Sequence, residues 1–160
     1  MKKQVNVLFV CMGNICRSPT AEGVFAKRLA DAGLDELVGV DSAGTHAYHV
    51  GEPPDPRAQR SAASRNVDLN DIRARRVVAA DFEEFDYVLA MDRDNYEGLL
   101  QICPQGHEHK LQLFLSYAPH LETDEVPDPY YGGPAGFDRV LDMIEAAADG
   151  LLEEIRRRHL

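Results

Sequence analysis

The chain has 160 residues, which suits one domain, and its 44 % apolar content is enough for a buried core. Acidic residues outnumber basic ones by 27 to 17, and the resulting net charge of -10 argues against sequence-independent nucleic-acid binding and membrane-surface binding. The sequence also has neither a signal-peptide pattern nor a membrane span, and its three cysteines do not suggest a disulfide scaffold. We therefore expect one cytoplasmic domain over residues 1–160, with no nucleic-acid or membrane partner.

Strands and helices are predicted in alternation along the chain. Residues 5–10 are largely apolar and β-branched, as in a buried parallel strand. The next apolar residues follow helical spacing from Ala21 to Ala32, and Gly33 ends that run. The same patterns predict further strands at 37–43, 87–91 and 111–115, and further helices at 57–65 and 94–102.

The last helix has the clearest pattern. Apolar residues three or four apart form one stripe from Phe137 to Ile155, and arginines 156–158 follow where the helix dipole favours positive charge. This alternation predicts an α/β fold in a single domain, with an open, twisted, four-stranded parallel sheet and helices on both faces. Sites in such sheets lie at the carboxyl ends of strands, which directs attention to the loop after Val10.

The loop between the first strand and the first helix has the composition of an anion-binding site. It reads Cys11-Met12-Gly13-Asn14-Ile15-Cys16-Arg17-Ser18-Pro19. Its backbone N–H groups lead into a helix N-terminus, and Gly13 and Asn14 tolerate the positive φ that turns successive amides inward. Arg17 can hold two oxygens of a phosphate, and the same positive field favours the thiolate form of Cys11. A Walker-type nucleotide loop is excluded, because no Gly-Lys-Ser/Thr follows the first glycine.

Ser18 has two predicted roles that compete. Its hydroxyl can donate a hydrogen bond to the Cys11 thiolate, or it can cap the helix just before Pro19. One hydroxyl cannot serve both fully, and the sequence leaves the choice open.

The segment from Val10 to Pro19 resembles the signature of the low-molecular-weight protein tyrosine phosphatases. The resemblance continues through 21–22, 41–45, 90–92 and 126–130, in the family's order, and so covers essentially the whole chain. It implies a phosphatase that hydrolyses phosphotyrosine and aryl phosphate monoesters through a phosphocysteine on Cys11, with Arg17 gripping the phosphate. The implied partner is a phosphotyrosine-containing protein or a small aryl phosphate, and inorganic phosphate is the product. The resemblance implies no cofactor and no metal, and a protein that is mainly a monomer.

The residues implied to bind the substrate come from three loops. They are Met12, Gly13, Asn14, Ile15, Cys16 and Ser18 in the phosphate-binding loop, Tyr48 on the rim, and Tyr130 and Tyr131 late in the chain. Ser42 resembles a family position that supports this loop through hydrogen bonds. An aromatic rim would favour flat aryl phosphates, although an exposed loop tyrosine such as Tyr48 can also have no role.

A thiolate nucleophile needs a proton donor for the leaving oxygen. Asp128 is the candidate, because Pro127 and Pro129 stiffen the chain around it. An aspartate between two prolines is often only a turn residue, but the resemblance assigns Asp128 as the general acid and base.

For three further positions the sequence allows more than one role. Cys16 is either a packing residue or, as the resemblance implies, a partner of Cys11 in a reversible disulfide. Asp92 is predicted to cap a helix, with a catalytic role disfavoured. Many relatives carry a histidine that supports the loop near residues 69–73, where this chain has Ile72.

Two rival functions share some of these features. An arsenate reductase on the same scaffold would reuse the loop, but it needs further cysteines after the third strand, where only Cys103 is present. A module that binds phosphotyrosine without turnover would need neither Cys11 nor Asp128. Cys103, His107 and His109 resemble metal ligands only loosely, and we interpret them as loop residues.

Overall fold

The computed structural model describes residues 3–129 and 134–160 of the chain. Its four parallel strands form one sheet in the order β2-β1-β3-β4. The strands are β1 (Val5–Cys11), β2 (Val38–Gly44), β3 (Tyr87–Ala90) and β4 (Leu111–Leu113). The predicted four-stranded parallel sheet is therefore confirmed.

Within the described residues, five α-helices connect and cover the strands. They are α1 (Arg17–Asp31), α2 (Pro56–Ala63), α3 (Asp81–Glu84), α4 (Arg93–Ile102) and α5 (Pro134–His159). Short 3-10 turns at Glu108–Lys110 and Phe114–Tyr117 flank the last strand. No helix in the described part of the chain is long and apolar enough to cross a membrane.

The sheet separates two hydrophobic clusters, because successive side chains of a strand point to opposite faces. Val7 and Phe9 of β1 belong to the larger cluster, which includes apolar residues of α1 and α5. Leu8 and Val10 belong to the smaller cluster, which includes residues of α3 and α4. Helices on both faces are therefore confirmed, and β1 is buried along its whole length.

Three local features differ from the sequence interpretation or were absent from it. The fourth strand ends at Leu113, and residues 114–117 form a 3-10 turn instead. The helix α3 is too short for its apolar spacing to show in the sequence. Ser18 is not a helix cap, since α1 begins at Arg17 and its N-cap residue is Cys16, without a side-chain cap.

The order of the strands brings the predicted site together. In the sheet register, Cys11 at the end of β1 pairs with Gly44 at the end of β2, and Val10 pairs with Ala90 at the end of β3. The loops that leave these three strands therefore meet at one edge of the sheet, which is where ligand sites lie in parallel sheets.

Candidate active site

Cys11 lies at the floor of this edge. It is 3 % exposed, and its Sγ lies 2.9 Å from Ser18 Oγ. The backbone N–H of Asn14 also donates to this sulfur at 3.3 Å. Ser18 and Asn14 are therefore both placed to donate hydrogen bonds to this sulfur.

Asn14 holds the loop in shape. It adopts the left-handed conformation with φ of 58°, while Gly13, also predicted to tolerate it, is not among the residues with positive φ. The Asn14 side-chain amide donates to Ser18 Oγ at 2.8 Å and to Ser42 Oγ at 2.9 Å. Its Oδ1 accepts from the Arg75 backbone N–H at 3.0 Å, which fixes the orientation of the amide.

These contacts also determine which way the hydroxyl of Ser18 points. Because Asn14 donates to both serine oxygens, each hydroxyl hydrogen must go elsewhere. The hydrogen of Ser42 goes to Glu22 Oε1, at 2.6 Å. The hydrogen of Ser18 faces Cys11 Sγ at 2.9 Å, with the Ala43 carbonyl more distant at 3.4 Å. Of the two predicted roles of Ser18, the structure supports the bond to the nucleophile candidate.

The loop passes close over the end of β2, and Gly44 makes this approach possible. A Cβ at Gly44 would lie 2.8 Å from the Met12 carbonyl oxygen and 3.2 Å from the Asn14 nitrogen, both backbone atoms. Any side chain there would push the loop away from the sheet.

Arg17 is buried beside the loop. Its Nη1 donates to Asp92 at 2.5 Å and to the Val126 carbonyl at 3.0 Å, and its Nη2 lies 3.8 Å from Asp128. Its Nε is buried and has no partner among the described residues. Burial alone would lower the pKa of Arg17, but the charges of Cys11, Asp92 and Asp128 raise it above its ordinary value. The Arg17 guanidinium is therefore held in a fixed position, and its Nε–H group can still donate a hydrogen bond to a ligand.

A cavity of about 240 Å³ opens above these groups. It is lined by Cys11, Met12, Gly13, Ile15, Cys16, Arg17, Tyr48, His49 and Asp128. Within the described residues, the backbone N–H groups of Gly13 and Ile15 have no acceptor. The cavity therefore offers unused donors around the thiol, as an anion site requires.

Two aromatic side chains among the described residues form part of the rim. Tyr48 is 74 % exposed and stacks on His46, with ring centroids 5.3 Å apart. His49 lies over Gly13, where an added Cβ would be 3.0 Å from the imidazole Cδ2, and its Nδ1 is 2.9 Å from Glu52. Sequence reasoning identified Tyr48 but missed His49, because nothing in a loop pattern shows which side chain folds back over the glycine.

Cys16 lies on the same cavity wall as Cys11 but in a different environment. It is buried against Ala58 and Phe137. This burial, followed by the charge of Asp55, raises the pKa of the Cys16 thiol well above its usual value, so the group is a neutral thiol at pH 7. Packing explains its place in the structure, and the disulfide with Cys11 stays a prediction.

The remaining positions singled out in the sequence are Ile72, the two tyrosines late in the chain, and Cys103 with its nearby histidines. Ile72 packs against the larger cluster, and the Arg75 backbone supports Asn14, so the described loop is held without a histidine at position 72. Tyr130 and Tyr131 lie outside the described residues, and their role stays a prediction. Within residues 3–129 and 134–160, no group of three His, Cys, Asp or Glu side chains could hold a metal, and this includes Cys103 with its nearby histidines.

The arrangement defines a class of protein. A cysteine at the end of the first strand, a loop whose Asn14 amide donates to the cysteine sulfur, and a buried arginine at the start of the first helix form a loop suited to bind an anion beside a nucleophile candidate. Asp128 lines the same cavity.

Comparison with known proteins identifies the family. The family model for low molecular weight phosphotyrosine protein phosphatase matches residues 6–159. A low molecular weight protein-tyrosine-phosphatase of Streptomyces coelicolor is 44 % identical over 155 residues, covering 95 % of this chain and 94 % of the relative. The chain therefore belongs to the low molecular weight protein tyrosine phosphatases, a family of hydrolases.

Solved structures agree with this assignment. The crystal structure of a protein tyrosine phosphatase from Entamoeba histolytica, with Hepes in the active site, is similar with a TM-score of 0.93 and 44 % identity, covering 98 % of this chain and 99 % of that one. The structure of Vibrio vulnificus Wzb in complex with benzylphosphonate has a TM-score of 0.82 and 30 % identity, covering 94 % of this chain and 98 % of that one. The family resemblance inferred from the sequence is confirmed.

Proposed function

We propose that this phosphatase hydrolyses aryl phosphate monoesters, phosphotyrosine among them, with Cys11 as nucleophile, Arg17 as phosphate ligand and Asp128 as general acid and base. The observation that carries the proposal is the position of the Cys11 sulfur. It accepts hydrogen bonds from Ser18 and the Asn14 amide at the floor of the cavity that Arg17 and Asp128 also line.

In the first step, the Cys11 thiolate attacks phosphorus and the bond between phosphorus and the aryl oxygen breaks. Asp128, in its protonated form, gives its proton to the leaving oxygen. The Arg17 Nε and the amides of Gly13 and Ile15 donate to the equatorial oxygens of the phosphoryl group, on which charge is spread in the transition state. The product of this step is a phosphocysteine and a free phenol.

In the second step, water attacks the phosphocysteine. Asp128, now a carboxylate, takes a proton from that water, the sulfur–phosphorus bond breaks, and inorganic phosphate leaves. The hydroxyl of Ser18 stabilises the thiolate as it forms again, because its hydrogen already faces the sulfur. Protons and bonds balance over the two steps, and the cycle returns to the starting enzyme.

The rim supports an aromatic substrate. The cavity has an apolar wall against which a flat ring can pack. This wall is formed by Tyr48 together with Met12 and Ile15 of the loop. The benzylphosphonate in the Vibrio vulnificus structure is an aryl ligand of the same general shape. We infer that Tyr48 and the remaining loop residues, Met12, Gly13, Asn14, Ile15, Cys16 and Ser18, bind the substrate and that Ser42 supports them.

We further propose that residues 1–160 act as one cytoplasmic domain and mainly as a monomer.

We also propose that Cys16 protects Cys11 through a reversible disulfide, because the two cysteines line the same cavity. Wild-type activity should recover when a thiol reductant is added after peroxide treatment. The Cys16→Ser variant should not recover its activity under the same treatment.

Hydrolysis of p-nitrophenyl phosphate as a function of pH tests the central proposal. We expect turnover that chelators do not inhibit, a loss of at least about a thousandfold in Cys11→Ser, and a loss of about 100-fold or more in Asp128→Ala. Asp128→Ala should lose more on phenyl phosphate, because phenolate needs protonation more than p-nitrophenolate. Asp124→Asn, a carboxylate of the same region that pairs with Arg93, should keep full activity.

Two outcomes would count against the proposal. Full activity in folded Cys11→Ser would remove the nucleophile assignment. A folded wild-type protein without turnover would point to a binding module or to arsenate reduction, which an assay with arsenate and a thiol donor distinguishes.

A further inference from the structure

A second groove adjoins the catalytic cavity, between α2 and the start of α5. It has a volume of about 310 Å³ and is lined by Arg57, Arg60, Ser61, Ser64, Phe137 and Asp138. The wall between the two spaces is a small hydrophobic cluster of Cys16, Ala58 and Phe137 with Ile15 packed against it. Ile15 and Cys16 face the catalytic cavity and Phe137 faces the groove, so the two spaces are separated by one layer of side chains.

Most of the polar groups of this groove are already engaged. Arg57 makes two contacts with the Asp55 carboxylate, at 3.1 and 3.2 Å, and its guanidinium lies 4.9 Å from the centre of the Phe137 ring. Asp138 accepts the hydroxyl hydrogen of Ser61 at 2.6 Å. These contacts form the walls of the groove and leave little hydrogen-bonding capacity for a ligand.

Arg60 is the exception. It is exposed on α2, one helical turn after Arg57, and it makes no ion pair with any residue of the described ranges. Eight other arginines, by contrast, hold carboxylates: Arg17, Arg28, Arg57, Arg65, Arg75, Arg93, Arg157 and Arg158. Arg73, Arg76, Arg139 and Arg156 likewise make no ion pair within the described residues, but of these five arginines only Arg60 lines the groove.

We propose that this groove binds an acidic side chain of the substrate polypeptide, next to the phosphotyrosine, through the guanidinium of Arg60. The inference rests on the proposed function, since the phosphotyrosine must occupy the catalytic cavity for a neighbouring residue to reach the groove. A guanidinium matches a carboxylate with two parallel hydrogen bonds.

The charge of the groove indicates a single carboxylate as the occupant. Arg60 is the one cation of this groove that makes no ion pair within the described residues, and a single guanidinium suits a ligand with one negative charge, whereas a nucleic acid or an anionic membrane needs several basic residues on one face. Asp138 opposes the binding of any anion, because its carboxylate lines the same groove. Removing the charge of Asp138 should therefore strengthen the preference that Arg60 creates.

A glutamate scan of a phosphotyrosine peptide tests the proposal. Each peptide carries one glutamate within three residues of the phosphotyrosine in an otherwise neutral sequence, and kcat/KM is measured from phosphate release. We expect one or two glutamate positions to raise kcat/KM by about threefold to fivefold, as for a partly exposed ion pair. Arg60→Ala should remove this gain, Arg60→Glu should reverse it, and Asp138→Asn should increase it.

Two controls separate this effect from general loss of activity. Arg156→Ala removes the same charge from an exposed position at the far end of α5 and should keep the preference. Turnover of p-nitrophenyl phosphate, which has no flanking residues, should stay the same in all four variants. A flat glutamate scan with the wild-type enzyme, or an undiminished preference in Arg60→Ala, would overturn the inference. Absence of p-nitrophenyl phosphate turnover in the wild type would instead overturn the proposed function.

Discussion

Asp92 serves two elements with its two carboxylate oxygens. Oδ1 accepts the Asn95 backbone N–H at 2.8 Å and so caps α4, which confirms the predicted capping role. Oδ2 accepts from Arg17 Nη1 at 2.5 Å and so holds the guanidinium beside the phosphate loop. Asp92 thus positions Arg17, a contact that the sequence interpretation, which weighed only capping and a catalytic role, did not consider.

Asp92→Asn separates these two tasks. Asparagine caps a helix about as well as aspartate, so α4 should keep its stability. The charge-assisted bond to Arg17 is lost, and because such bonds contribute about 1.5–3 kcal/mol, kcat/KM for p-nitrophenyl phosphate should fall by roughly tenfold or more. The measurement is steady-state kinetics together with thermal unfolding.

Asp92→Ala is the comparison, since it should lose both the cap and the activity. If Asp92→Asn retained full activity, the contact with Arg17 would have no part in positioning the guanidinium.

Among the elements, the helix α5 packs directly against the 3-10 turn that follows β4, and this contact fixes the distance between them. Gly150 of α5 lies against this 3-10 turn, and a Cβ at Gly150 would be 1.9 Å from the Tyr117 carbonyl oxygen. The turn itself is held by Ser116, whose hydroxyl donates to the Leu113 carbonyl at 2.7 Å. The helix can lie this close only because residue 150 has no side chain.

Gly150→Ala should therefore destabilise the protein, although alanine favours a helix by up to about 1 kcal/mol over glycine. The clash with backbone outweighs this gain, and we expect a net loss of about 1–3 kcal/mol in the free energy of unfolding. Gly136→Ala is the matched control in the same helix, because no atom of the described residues lies within 4 Å of its added Cβ. That variant should be unchanged or more stable, as measured by urea unfolding. Equal effects of the two substitutions would show that the contact with Tyr117 is unimportant.

Two boundaries of secondary-structure elements differ from those predicted from the sequence. The apolar run at residues 111–115 is typical of a strand, but pairing with β3 extends only from Leu111 to Leu113. The helix α1 begins two residues before Pro19, because the Cys16 carbonyl accepts from both the backbone and the hydroxyl of Thr20. Neither boundary follows from periodicity, which describes the middle of an element better than its ends.

At the scale of the whole molecule, Glu22 connects the stability of the fold with pH. It extends from α1 to Ser42 of β2, and burial raises its pKa from 4.5 to about 7. The neighbouring charge of Asp41 acts in the same direction, while the bond from Ser42 and the charge of Arg75 oppose it. The folded protein therefore holds a proton on Glu22 that the unfolded chain releases at lower pH.

The sign of the pH dependence follows from this difference. Between pH 4.5 and 7 the folded state binds more protons at Glu22, so this contribution to stability is complete below pH 4.5 and is lost as the pH rises through 7. Glu22→Gln keeps an acceptor for Ser42 but does not titrate. Relative to wild type, it should gain about 1–3 kcal/mol in the free energy of unfolding between pH 5 and pH 8.

Urea unfolding of both proteins at several pH values measures this difference. A free-energy difference that does not change with pH would mean that Glu22 titrates as an ordinary exposed carboxylate.

The alternation of strands and helices, the four-stranded parallel sheet and the loop from Cys11 to Ser18 could all be predicted from the amino-acid sequence. These features depend on residues close together in the chain, because the repeat of a helix, the alternation of a strand and a short loop motif are all local. Three contacts could be seen only in the folded protein: Asp92 holds Arg17, Glu22 accepts the hydroxyl of Ser42, and Arg60 lines the groove next to the catalytic cavity. Such contacts join residues far apart in the chain, and they form only where the packing of the helices on the sheet brings those residues together.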